Sequence, residues 1–137
     1  MQSIEGDVGS YYVSIAAIVK NEARYIREWI EYHRIVGVEH FFIYDNGSTD
    51  NLRELLEPYI QDKLVTYHSC PGTCLQFPAY NDAAVRYAGK TRWLAFIDAD
   101  EFIVVHGQNI ANFLKGFEDC SAVGVNWIMF DSGGKEK

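Results

Sequence analysis

From residue 11 onward, continuous apolar runs alternate with segments whose apolar residues recur every three or four positions. YYVSIAAIV (Tyr11–Val19) has the length and character of a buried strand and stops at the polar Lys20, Asn21 and Glu22. Ala23, Ile26, Trp29, Ile30 and His33 then fall on one face of a helix. Gly37 sits where a helix C-terminal glycine belongs. A second strand, 40–44, ends at the turn-rich DNGSTDN. Leu52, Leu55, Leu56 and Tyr59 mark a second amphipathic helix, with Thr49 or Asp50 as its N-cap. Residues 64–68 read as a third strand. Pro78 suits the first turn of a third helix, whose buried face is expected at Tyr80, Ala84, Tyr87 and Ala88. Residues 93–97 form a fourth strand, followed by a short helix around 110–117 and a last strand over 122–130. Strands alternating with helices predict an α/β domain, a mostly parallel sheet flanked by helices on both faces.

A chain of 137 residues that is 48% apolar can bury a core as one domain. Residues 1–10 read as an N-terminal extension and 11–137 as the domain. The formal charge of -7, with no dense basic cluster, argues against a nucleic-acid partner. No apolar run approaches the ~20 residues that span a bilayer, and MQSIEGDVGS lacks the pattern of a signal peptide. Cys70, Cys74 and Cys120 are too few for a disulfide framework, so a reduced, cytoplasmic setting is the simplest expectation.

Ligands of parallel sheets bind beyond the carboxyl ends of the strands. Lys20, Asn21 and Glu22 follow the first strand, Asp45, Asn46 and Ser48 the second, and Asp98, Asp100 and Glu101 the fourth. Polar groups from three strands should therefore converge on one edge. Within FIDADEFIV an extended chain would put Asp98 and Asp100 on one side, with Cα atoms roughly 6–7 Å apart. Glu101 would point the other way. Two like charges on one side repel, and a hard divalent ion such as Mg²⁺ or Mn²⁺ removes that cost through oxygen ligands. The plainer alternative is a solvated acidic turn, but such turns rarely separate two apolar segments. Asp45 has two readings as well: D-N-G-S is strong turn chemistry, and a carboxylate there can equally accept hydrogen bonds from a base or ribose. His68, Cys70 and Cys74 offer a zinc site three ligands where four are wanted.

KNEARYIREWIEYHRIVGVEHFFIYDNGSTDN followed by QFPAYNDAAVRYAGKTRWLAFIDADEFIV resembles nucleotide-sugar-dependent glycosyltransferases of the GT-A fold. It is similar to family 2 and closer still to the family 92-like branch, with K-N-E, E-W, Y-D-N-x-S-x-D and D-x-D-E-F in order. The resemblance covers residues 12 to 133 and implies the N-terminal, donor-binding part of such an enzyme, cut before its acceptor-binding half. It further implies that residues 19–22, Val19, Asn21 and Glu22 among them, line the nucleotide pocket, and that Asp45 contacts uracil or an equivalent base. Asp98 would lie near ribose and diphosphate, and Asp100, with Asp98, would hold the metal. Asn81 matches the asparagine of a family 2 R-N pair, with Tyr80 in place of the arginine. Lys20, Arg24 and Arg86 are then the candidates for a basic diphosphate contact. WIMFDSGG resembles the acceptor-side W-x-x-F-G-S-x-G loop, which makes Asp131 a candidate catalytic base.

The function expected on this resemblance is metal-dependent transfer of a sugar from a nucleotide donor, a UDP-sugar first, to a glycan or other hydroxyl acceptor, with inversion. The cofactor would be Mn²⁺ or Mg²⁺. The alternatives are a noncatalytic, truncated nucleotide-sugar-binding module and a nucleotidyltransferase. The absence of P-loop, G-x-G-x-x-G and G-x-S-x-G patterns disfavours NTPase, dinucleotide and serine-hydrolase chemistry.

Overall fold

A computed structural model describes residues 2–3, 10–73 and 75–130. The strands are β1 (Gln2–Ser3), β2 (Tyr11–Val19), β3 (His40–Asp45), β4 (Val65–Ser69) and β5 (Thr91–Phe96). The helices are α1 (Ile26–Val36), α2 (Leu52–Gln61), α3 (Gln76–Arg86) and α4 (Ile110–Leu114), the last continuing into a 3₁₀ turn at Lys115–Phe117. The strands form one sheet in the order β1-β4-β3-β2-β5. All pairs are parallel except β1 with β4, in which Gln2 and Ser3, from the expected extension, lie opposite Ser69 and His68.

Period-two alternation along β2 and β3 divides the core between the two faces of the sheet. Val13, Ile15, Ala17 and Val19 of β2 and Phe41 and Ile43 of β3 pack on Ile26, Trp29 and Ile30 of α1, Leu52 and Leu56 of α2, and Ile110 and Leu114 of α4. Ala16, Phe42 and Tyr44 point to the other face and meet Ala79 and Ala83 of α3 and Tyr87 at its C-cap. β3 is buried at every position, which is why its sequence is nearly continuous in apolar and aromatic residues. α1 stops where Gly37 takes φ 107°, a left-handed conformation that lets the Gly37 and Val38 amides bond the Arg34 and His33 carbonyls.

Three local expectations need correction. Of the face expected for α3 only Tyr87, at its C-cap, is buried; the helix itself buries Ala79 and Ala83, whereas Ala84 and Ala88 are exposed and Tyr80 is half-buried. Small residues at 79 and 83 let the helix lie close to the sheet, and the Tyr87 ring stacks on Phe42 with centroids 3.6 Å apart. The boundary residue of α2 is Asn51, although Asp50 Oδ1 still accepts the Leu52 amide at 3.2 Å. The apolar run 122–130 forms no strand. A strand needs a ladder partner, and none pairs with this run among the described residues, leaving Trp127 73% exposed instead of in the core.

Candidate functional site

The chain builds outward from β2 through β3 to β4, then returns to place β5 on the other side of β2. That reversal puts a topological switch point between the ends of β2 and β5, where open α/β sheets leave a crevice. A cleft of about 420 Å³ occupies this place. Val19, Lys20 and Glu22 line it from the end of β2, Asn46 from the end of β3, Leu75 and Gln76 from the start of α3, and Asp98, Ala99 and Asp100 from beyond β5.

Asp98 and Asp100 reach the cleft from a turn, not from an extended strand. The ladder ends at the Ala16–Phe96 pair while β2 continues to Val19. The Glu101 amide then donates to the Asp98 carbonyl at 3.1 Å, and the Asp98 amide donates to Glu101 Oε2 at 2.9 Å. Trp29 Nε1–H donates to the Glu101 carbonyl at 2.8 Å, fixing the turn to α1. Glu101 thus closes the turn that presents the two aspartates. Glu22 is held above the usual carboxylate range, first by burial and then by the negative charges of Asp100 and Asp50.

The K-N-E and D-N-G-S-T-D segments clasp each other. Asn21 lies at φ 59°, its amide donates to Ser48 Oγ at 2.9 Å, and its Oδ1 accepts the Thr49 amide at 2.7 Å. Asp50 Oδ2 accepts the Ala23 amide at 3.0 Å. Asn21 therefore does not line the cleft; it fixes the loop that carries Lys20 and Glu22. Asn21→Ala is expected to cost about 1–2 kcal/mol, losing the Oδ1 acceptor and straining a left-handed residue. Asn21→Gly should cost less, because only the acceptor is lost. Urea unfolding of both variants checks the order, and equal costs would remove the backbone part of the argument.

Asp45 is buried beneath the loop rather than lining the cleft. Its Oδ1 accepts the Ser48 amide at 2.8 Å and its Oδ2 the Tyr67 hydroxyl at 2.6 Å. Burial, then this bond to Asp45, pushes the Tyr67 hydroxyl above its ordinary range. Both carboxylate oxygens serve the fold, which favours the turn reading of D-N-G-S. Asn81 is exposed on α3 and is not among the residues lining the cleft. Asp131 lies outside the described residues, as does Cys74 of the three-ligand zinc reading. Among the three basic candidates Lys20 lines the cleft, Arg24 lies over the Tyr25 ring, and Arg86 is paired with Asp82.

Asn46 lines the cleft as strand order predicts, whereas Gln76 and Tyr80 are contributors without a signal in the sequence pattern. Asn46 is the residue after β3, the position the strand-end rule indicates. Gln76 opens α3, and Tyr80, one turn on, donates to Asp98 Oδ1 at 3.3 Å. Among the described residues no three His, Cys, Asp or Glu side chains come together to hold a metal by themselves. One or two carboxylates with phosphate oxygens completing the shell is the usual arrangement for Mg²⁺, and Asp98 and Asp100 supply hard oxygen donors for it.

The sequence matches the family model for glycosyltransferase family 92 over residues 10–137. A glycosyltransferase family 92 protein of Ricinus communis is 37% identical over 95 residues, 69% of this chain and 16% of that protein. One from Oryza sativa subsp. japonica is 33% identical over 110 residues, 79% of this chain and 19% of that protein. Galactan beta-1,4-galactosyltransferase GALS2 of Arabidopsis thaliana is 36% identical over 107 residues, 70% of this chain and 21% of that enzyme. The chain thus spans about a fifth of the length of these relatives. Among solved structures, S. aureus TarS 1-349 superposes with a TM-score of 0.57 at 18% identity, covering 88% of this chain and 40% of that one. At such identity the likeness speaks for the fold alone, and it agrees with the GT-A type of α/β sheet. The family match over nearly the whole sequence, on a sheet of that type, shows that the chain belongs to glycosyltransferase family 92.

Proposed function

We propose that the cleft binds the nucleoside diphosphate of a sugar donor together with Mn²⁺ or Mg²⁺, as the donor site of an inverting glycosyltransferase. The observation that carries the reading is the lining at the switch point, where, among the described residues, Glu22, Asp98 and Asp100 stand against one basic group, Lys20. A diphosphate alone would be repelled by that set. A bound divalent ion would screen the carboxylates from the phosphates and stabilise charge on the departing nucleoside diphosphate. Asp100 and Asp98 would hold it, Lys20 would contact the diphosphate, and the first turn of α3, at Leu75 and Gln76, turns the positive end of its dipole toward the phosphates. The Arabidopsis relative's name specifies galactosyl transfer to galactan, so UDP-galactose and a glycan acceptor are the first pair to try. That transfer is proposed for the longer polypeptide of which such a domain is part.

Calorimetric titration with UDP tests the donor site directly. Binding is expected to tighten when Mn²⁺ replaces EDTA. In Asp100→Asn the metal-dependent gain should fall by about 100-fold or more, since even outer-shell contacts are worth about 10–100-fold. No metal-dependent binding of UDP or any other nucleoside diphosphate would sink the reading.

A further inference from the structure

The Asp98 side chain is tied to α3 by a residue that no part of the reading above requires. Tyr80 stands one helical turn after Gln76, half-buried, its ring 4.9 Å from that of Phe96 at the end of β5. Its hydroxyl donates to Asp98 Oδ1 at 3.3 Å. The backbone of Asp98 is already held on both sides, its amide by Glu101 Oε2 and its carbonyl by the Glu101 amide. The turn is held in turn to α1 through Trp29. What remains free at Asp98 is the rotation of its carboxylate, and Tyr80 is the group that restrains it.

We infer that Tyr80 is a positioning residue: by donating to one oxygen of Asp98 it leaves the other directed at the cation and diphosphate of the donor. The inference rests on the donor-site reading of the cleft. Its physical basis is the one that governs outer-shell groups, which orient a ligating carboxylate and reduce the entropy lost when the ion arrives. A free Asp98 has several rotamers to give up on binding. One held by Tyr80 has fewer. Because the bond is partly open to water, its contribution should be moderate and should appear in metal coupling more than in stability.

Tyr80→Phe keeps the ring on Phe96 and removes only the hydroxyl, so the fold is retained and circular dichroism can verify it. The readout is the ratio of the UDP dissociation constant without Mn²⁺ to that with Mn²⁺, measured for the protein, for Tyr80→Phe, for Asp98→Asn and for the double variant. Tyr80→Phe is expected to lower that ratio by about tenfold. In the Asp98→Asn background the same substitution should change it by less than about twofold, because the partner is already altered. A merely structural tyrosine would not give this coupling. An unchanged ratio in Tyr80→Phe, or equal losses in both backgrounds, overturns the assignment while leaving the donor site standing. If the unsubstituted protein shows no Mn²⁺ effect on UDP, the donor-site reading and this inference both fall.

Discussion

Trp29→Ala is expected to cost about 3–5 kcal/mol, a large share of the ~5–15 kcal/mol that holds a domain folded. The ring is fully buried on α1, 5.6 Å from the ring of Phe41 and 4.8 Å from that of His33. Removing it empties the space between α1 and the sheet. It also deprives the Glu101 carbonyl of its donor at 2.8 Å, so the turn bearing Asp98 and Asp100 loses its tie to the core. Trp29→Phe refills part of the space but lacks the N–H, so it should cost less than Trp29→Ala and at least the ~1–2 kcal/mol of the lost hydrogen bond. Urea unfolding followed by far-ultraviolet circular dichroism measures both. A cost for Trp29→Ala near that of Trp29→Phe would mean that the indole is not the packing centre of this face.

Trp29 also marks what could be read in advance. Its place on the buried stripe of α1 follows from spacing, as do the ends of β2, the end of β3 to within one residue and the glycine at 37, because each depends on local periodicity or local backbone conformation. The meeting of Lys20, Glu22, Asp98 and Asp100 followed from strand order and the strand-end rule, without knowledge of any side-chain contact. The indole bond to Glu101 spans 72 residues and had no signal in the sequence. The clasp between Asn21 and Thr49 was hidden in the same way, so residues that stabilise loops looked like residues that touch a ligand. Spacing puts Tyr80 on a core stripe, because an aromatic at helical spacing is more often packed than polar in role; its hydroxyl turns instead to Asp98. Residues 122–130 have strand composition, but pairing decides a strand, and composition carries no information about the partner.

Acidification is expected to destabilise the protein steeply between pH 6.5 and pH 4, with His33 and His40 as principal contributors. Burial holds each imidazole down at about 4, against an ordinary value of 6.5. In His33 the geometry explains the preference for the neutral ring. Nδ1–H donates to the Trp29 carbonyl at 2.8 Å, so Nε2 is the acceptor for the Ile103 amide at 3.2 Å. A proton on Nε2 would set donor against donor. His40 has Nε2 2.8 Å from Thr66 Oγ1 and its ring stacked 4.4 Å from that of Tyr11. The sign follows from proton counting: below 6.5 the unfolded chain binds protons that the folded protein refuses, so stability falls as pH falls. The contribution is intact above 6.5, is lost progressively down to about 4, and changes no further below that. Each histidine should account for about 3 kcal/mol across the window. Urea midpoints at a series of pH values, compared among the protein, His33→Gln and His40→Gln, isolate these terms from carboxylate titration. Each variant should be less stable at pH 7.5 and lose less on acidification than the parent. Parallel pH profiles in all three proteins would show that neither imidazole carries the acid sensitivity.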